Sequence, residues 1–482
     1  MTSDPTLEAA FSPDRFRAMG HRVIDRLADY LARAQAGDGP VLPWVEPGTM
    51  VGRWPADFAQ AAGEDALTHL LAEVLDGSIH LHHPHYIGHQ VSAPLPVSAL
   101  IEAVAALLNN GTAVYEMGAV STAMERQVIR WLGGLWGFGG DCDGVLTSGG
   151  SAGNLTALLA MRQARAGFDA WSGGTHSGPP LAVLAGDQAH YSVQRAATMM
   201  GWGTDGVVKV PSDAHFRLDP AGLQHALNQA VAAGRKVIGV VASAASTATG
   251  AFDPLEPIAD FCDAHGLWLH VDGAHGAAVA LSETHRALVK GIDRADSVVC
   301  DPHKMMLSPA LVSAVVFRDG RHSYGSFAQE ASYLFHGDPE AEWFNLGQRT
   351  LECTKRMLSL KVYLPLRLYG QKFFADYIDG RIALAKEFAA MLREAPDFTV
   401  AVEPDCNIVC FRHEPSGVTD LDALQVTVRD RIIKSGRFYI VRTTLPTGVH
   451  LRTTLLNPQT TTDHLIELLD EIRRVGREVV GA

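Results

Sequence analysis

Cysteine and lysine are scarce in this chain, and long apolar runs are missing. Six cysteines (Cys142, Cys262, Cys300, Cys353, Cys406 and Cys410) are scattered through 482 residues in apolar surroundings, which suits reduced, buried thiols and speaks against a disulfide framework. Cys406 and Cys410 are the one close pair, and a spacing of four with no second pair is a poor zinc signature. No stretch reaches the roughly 18 apolar residues of a membrane span. Positive charge is also short: 40 Lys and Arg face 53 Asp and Glu, a net charge of −13. Neither nucleic acid nor an anionic membrane surface is therefore expected as a partner. Residues 1–10 carry Asp4 and Glu8 where a secretory signal has a basic segment and an apolar run, so a cytoplasmic location is expected. There is no internal repeat and no low-complexity tract. Only nine of the 40 basic residues are lysines, so a chemistry that needs an amine has few places to put it.

What is present is the balance of a folded globular protein: 47% apolar residues, 19% charged and 46 glycines, in a length that suits two or three domains. Between positions 14 and 35, Phe16, Met19, Val23, Ile24, Leu27, Tyr30 and Leu31 recur at helical spacing after a Ser12-Pro13 start signal. A Pro-, Gly- and Trp-containing linker follows, so residues 1–85 are expected to form an N-terminal helical arm. Apolar runs at 144–147, 181–185, 206–210, 237–242, 267–271, 297–300 and 314–317 then alternate with helical patterns. Such runs are what strands buried on both faces look like, so residues 86–370 are read as a large α/β domain with a mostly parallel central sheet. Residues 371–482 read as a smaller α+β C-terminal domain, with strands near 398–402, 408–412, 438–442 and 450–454. In such a layout function sits at strand ends.

Four features lie at those ends. The first, Thr147-Ser148-Gly149-Gly150-Ser151-Ala152-Gly153-Asn154, joins a strand to a helix; glycines there let backbone N–H groups reach a phosphate, although such turns are common. The second is a strand that ends in Asp272. A buried carboxylate there needs a cationic partner, which a protonated ring nitrogen would supply, and a helix cap explains it equally well. In the third, Asp301-Pro302-His303-Lys304 places one of the nine lysines beside Met305 and Met306, where desolvation favours Schiff-base chemistry. The fourth is His190, just past another apolar strand, positioned to stack on a flat cofactor. A phosphate anchor, a carboxylate for a ring nitrogen, a Schiff-base lysine and a stacking group together specify pyridoxal 5′-phosphate (PLP).

These motifs, in this order, resemble the group II PLP-dependent amino-acid decarboxylases, the family of glutamate, cysteine sulfinate, aromatic-amino-acid, histidine and diaminobutyrate decarboxylases. The resemblance runs from about His83-Pro84 to the C-terminal helix and implies the PLP-dependent transferase (type I aminotransferase) fold in a homodimer with an interfacial active site. It also implies that Lys304 carries the cofactor, Asp272 pairs with the ring nitrogen and His190 stacks on the ring. Ser151, Ala152, Gly153, Ser246, Thr247 and His303 match positions around the phosphate and cofactor. Tyr333, in Gln329-Glu330-Ala331-Ser332-Tyr333-Leu334, matches the mobile-loop tyrosine that protonates Cα after carbon dioxide leaves, and Arg452 matches an arginine for the substrate carboxylate.

The reaction so implied is decarboxylation of an L-amino acid to its amine. An aldehyde synthase of the same fold is the nearest rival, and the retained Tyr333 favours the simple decarboxylase; a catalytically silent scaffold is a third reading. The context of Asn109-Asn110 and of Lys304-Met305-Met306 favours the glutamate and cysteine sulfinate branch. His89 departs from it, standing where that branch has a glutamine near the substrate side chain. Asp301 likewise replaces a common asparagine, and Gly153 a serine. The histidines at 80, 82, 83, 85 and 89 lack the accompanying carboxylates or thiolates of a metal site, so no metal is expected.

Overall fold

Seven strands, buried along nearly their whole length except at one edge, form the centre of the molecule, in a computed structural model that describes residues 5–54, 56–59, 63–327 and 342–481. They are β1 (Asp143–Thr147), β2 (Leu181–Gly186), β3 (Val207–Val210), β4 (Lys236–Ser243), β5 (Trp268–Asp272), β6 (Ser297–Cys300) and β7 (Ser313–Phe317). Each coincides with one of the seven apolar runs, because a strand covered on both sides is apolar at nearly every position; β3, at the sheet edge, is the exception, with Lys209 exposed. The spatial order is β1-β7-β6-β5-β4-β2-β3. All neighbours pair in parallel except β7, which runs antiparallel to both β1 and β6. The carboxyl ends of β1, β2, β4, β5 and β6 therefore share one edge, where the ligand crevice of an open α/β sheet belongs.

A second, antiparallel sheet is built from β8 (Phe398–Val400), β9 (Ile408–His413), β10 (Val441–Leu445) and β11 (Gly448–Thr454), in the order β10-β11-β9-β8. Helices Leu421–Ser435 and Thr462–Val480 pack on it around Phe388, Phe411, Phe438 and Leu468. The helical run Leu360–Glu394 leads from the large sheet to this unit and breaks at Gly370, whose φ of 74° is a left-handed value that a residue with a Cβ adopts only under strain.

Two details depart from the sequence reading. Residues 86–89 were assigned to the large domain, yet Ile87 is part of the small-domain core. Its N–H donates to Tyr439 O (3.1 Å), and Tyr439 N–H donates to His85 O (3.0 Å). That pairing also explains why β10 starts at Val441 and not at 438: the backbone around Tyr439 is taken by the incoming segment as an isolated parallel bridge. The arm contains helix Pro13–Gln35, capped by the Ser12 side chain, and its trailing strand docks through Val41 N–H on Gly436 O (2.8 Å). Among the described residues no helix is long and apolar enough to cross a membrane.

Candidate active site

Strand ends converge on a cavity of about 350 Å³, within the usual size range of small-molecule sites. Its wall takes Ser148–Ala152 from the turn after β1, His190 from after β2, and Ser246 and Thr247 from after β4. Asp272 closes β5, and Asp301, His303 and Lys304 follow β6.

Asp272 is almost fully buried and is held by a directional chain of hydrogen bonds. Trp268 Nε1–H donates to Ser297 Oγ (2.9 Å), the Ser297 hydroxyl meets His270 Nδ1 (2.9 Å), and His270 Nε2 meets Asn154 Oδ1 (3.0 Å). Asn154 Nδ2 then donates to Asp272 Oδ2 (2.9 Å) and to Ser192 Oγ (2.8 Å). With its amide committed as donor to a carboxylate, Asn154 presents its oxygen to His270, which must carry its proton on Nε2. Burial lowers the His270 pKa, so the ring stays neutral. Asp272 Oδ1 accepts from Ala274 N–H (3.3 Å). The carboxylate is thus held by N–H donors on both oxygens.

The same chain reaches His190. Its Nδ1 accepts from Ser192 N–H (3.3 Å) and lies 2.8 Å from Ser192 Oγ, leaving Nε2 as the protonated nitrogen. Its pKa is lowered by burial, with nearby Lys304 adding to the effect.

Lys304 Nζ pairs with Asp301 Oδ2 at 3.1 Å. His303 Nδ1 donates to Val312 O (2.7 Å), which fixes that ring against β7. Gly150 is required by its neighbours: a Cβ there would lie 3.0 Å from Asp301 Oδ2. Gly150 also opens helix Gly150–Arg165, where the Ala152 and Gly153 N–H groups donate to Gly149 O (3.0 and 3.1 Å) and those of Gly150 and Ser151 have no partner within the helix. Gly153 is placed differently. It is not among the residues that line the cavity, and its missing side chain instead lets the helix approach Val299, 3.2 Å from where a Cβ would stand.

Arg452 is likewise off the wall. It is buried on β11, its guanidinium donates to Thr247 O, and its Nε has no partner among the described residues. Burial lowers its pKa. His89 packs against Tyr439 with ring centres 5.4 Å apart, and burial together with Arg452 and Arg429 lowers its pKa. Tyr333 lies outside the described residues. Among the described residues no group of three or more His, Cys, Asp or Glu is placed to hold a metal.

Sequence reasoning missed Asn154, Ser192, His270, Ser297 and His275. One signal was available: His270 and Asp272 are two apart on a strand and so face the same side. His275 lines the cavity at 2% exposure. Its Nε2 is 2.8 Å from Asn407 Oδ1, and its Nδ1 is buried without a partner among the described residues. Burial, with Lys304 and Arg452 close by, pushes its pKa down to about 3.

The residues fit pyridoxal phosphate. A glycine-opened helix start suits the phosphate, a buried carboxylate held by donors suits a protonated ring nitrogen, and a part-buried lysine supplies the amine. The orphaned Nδ1 of His275 further marks the cavity as built around a polar guest.

Comparison with known proteins agrees. The family described as "Pyridoxal-dependent decarboxylase conserved domain" matches residues 47–414. The chain is 31% identical over 456 residues to human cysteine sulfinic acid decarboxylase, covering 91% of this chain and 92% of the relative. It is 28% identical over 475 residues to an aromatic-L-amino-acid decarboxylase of Bacillus atrophaeus, covering 97% of each. The crystal structure of mouse CSAD in apo form superposes with a TM-score of 0.89 at 28% identity, covering 96% of this chain and 99% of that one. The architecture is thus the PLP-dependent transferase fold.

Proposed function

The chain belongs to the pyridoxal-dependent decarboxylase family and is a PLP-dependent amino-acid decarboxylase, and within that activity we propose that it acts on an L-amino acid with an acidic side chain, a carboxylate or sulfinate. The observation that carries this reading is a cation beside the cavity wall: Arg452, off the lining itself, donates to Thr247 O on it and is buried with no partner for its Nε among the described residues, and His89 lies in the field of both Arg452 and Arg429.

The roles proposed rest on the cavity geometry for the described residues and, for Tyr333, on the family resemblance. PLP, when bound, supplies the conjugated ring that takes up the electron pair left by departing carbon dioxide. Lys304 is the amine that holds it, and Asp272, fixed by Asn154, keeps a proton on the ring nitrogen. Gly150 and Ser151 offer backbone and hydroxyl donors to the phosphate, with Ala152, Ser246, Thr247 and His303 framing the cofactor. Gly153 contributes at one remove, by letting that helix start lie close to the sheet. His190, a neutral ring with its proton on Nε2, covers the cofactor face. Arg452 orients the substrate carboxylate, since a guanidinium fork matches that group. His89 meets the substrate side chain, and Tyr333 is the acid that protonates Cα.

We also propose a homodimer that completes the active site. Leu311 lines the cavity yet is 54% exposed, and Leu100, Val104, Leu107 and Leu108 leave an apolar row uncovered on helix Pro96–Leu108.

The test is carbon dioxide release from the proteinogenic amino acids together with cysteine sulfinate, 2,4-diaminobutyrate and dihydroxyphenylalanine, with product analysis for amine against aldehyde. Turnover of aspartate, glutamate or cysteine sulfinate well above the rest is expected; preference for an aromatic or cationic substrate would overturn the proposal.

A further inference from the structure

Asp301 is 3% exposed and stands on the cavity wall. Its Oδ2 lies 3.1 Å from Lys304 Nζ and 3.7 Å from His303 Nε2, and its Oδ1 accepts from the Ser313 hydroxyl. His303 Nε2, at 3.7 Å, is beyond hydrogen-bond reach of Asp301, and burial lowers the pKa of that ring. Lys304 is therefore the cation that balances Asp301, with Ser313 as its hydroxyl donor.

The same carboxylate forms the floor of the glycine turn. A Cβ on Gly150 would meet both its oxygens, at 3.0 and 3.2 Å. A helix start that offers N–H groups to a phosphate thus has a buried negative charge set against its first residue. Like charges repel strongly where water is excluded, and the one cation balancing Asp301 is the amine that the cofactor must engage.

We propose that Asp301 weakens the hold on the cofactor phosphate, so that PLP is an exchangeable ligand and the loaded fraction follows its free concentration. Lys304 keeps Asp301 in place in the cofactor-free chain, and loading withdraws that amine from the pair. The inference rests on Lys304 being the cofactor-bearing amine, and the test separates the two.

Cofactor-free wild type and Asp301→Asn are titrated with PLP, and inorganic phosphate is titrated as a competitor that makes no bond to Lys304. The variant is expected to bind PLP at least tenfold more tightly and to be protected by phosphate at correspondingly lower concentration. Ser313→Ala, which strips the carboxylate of its hydroxyl donor, is expected to move PLP affinity the other way. Unchanged or weaker binding of both probes by a folded Asp301→Asn, judged by its thermal transition, would overturn the proposal, as would tighter binding of PLP without any gain for phosphate. If wild type captures PLP on a different lysine, the reading of Lys304 fails, and the phosphate arm still decides the role of Asp301.

Discussion

Asn154 is the residue on which most of the site's polar order depends. It joins the His270 and Ser297 chain to Asp272 and, through Ser192, to His190. Replacing it by alanine leaves a buried N–H on His270 and a carboxylate oxygen on Asp272 without partners. Each such loss costs roughly 1–3 kcal/mol, so Asn154→Ala is expected to lower stability by about 2–4 kcal/mol in urea unfolding. PLP affinity should fall by an order of magnitude, because Asp272 is no longer fixed for the ring nitrogen. Unaltered PLP binding in this variant would mean that the chain of bonds is structural only. Spacing shows one link of this network, His270 and Asp272 two apart on β5 and so on one face. The glycine turn, Asp272 and Lys304 stand out because each follows an apolar strand, whereas Asn154 and His270 look like ordinary polar residues until the fold brings positions 116 apart within 3.0 Å.

Among the elements, the segment from His80 to His89 couples the arm to the small domain. His85 stacks on Phe438 with ring centres 3.9 Å apart, and its Nδ1 donates to Arg437 O (2.8 Å). Burial pushes its pKa down to about 4, and the pKa values of His80, His82 and His83 are lowered for the same reason. A histidine whose folded pKa is depressed resists protonation only in the fold. Its contribution to stability is complete above the ordinary value near 6.5 and is lost as pH falls from there toward 4. Thermal stability is therefore expected to drop between pH 7 and 5. His85→Phe, which keeps the stacking, should flatten that drop by on the order of 2 kcal/mol; an unchanged slope would place the acid sensitivity elsewhere. Most of the strands themselves were readable, since all but the edge strand β3 are buried along nearly their whole length and so mainly apolar. The antiparallel course of β7 was not, because direction is set by connection and pairing and leaves no mark on an apolar run. Nor was the attachment of residues 86–89 to the small domain, which depends on backbone bonds to Tyr439.

At the scale of the whole molecule, exposure along one helix bears on assembly. Leu107 is 68% exposed and Leu108 55%, with Val104 one turn earlier at 53%. A second copy packed on this row would bury it in a dimer interface. Leu107→Glu is expected to shift the mass measured by light scattering from dimer to monomer and to lower activity at least tenfold. A monomeric wild type, or a variant that stays dimeric and fully active, would contradict that arrangement. The alternation of pattern along the chain made the seven-stranded sheet and the small antiparallel sheet legible, and the cavity lies where five strand ends share an edge.

The account stands on one amine among nine, and reduction of the PLP-loaded protein with borohydride followed by peptide mapping tests it most directly. A single phosphopyridoxyl group on the peptide containing Lys304 is the expected result, with none formed in Lys304→Ala. A label on Lys355, Lys361 or any other lysine, or no label on protein that has bound PLP, would contradict it.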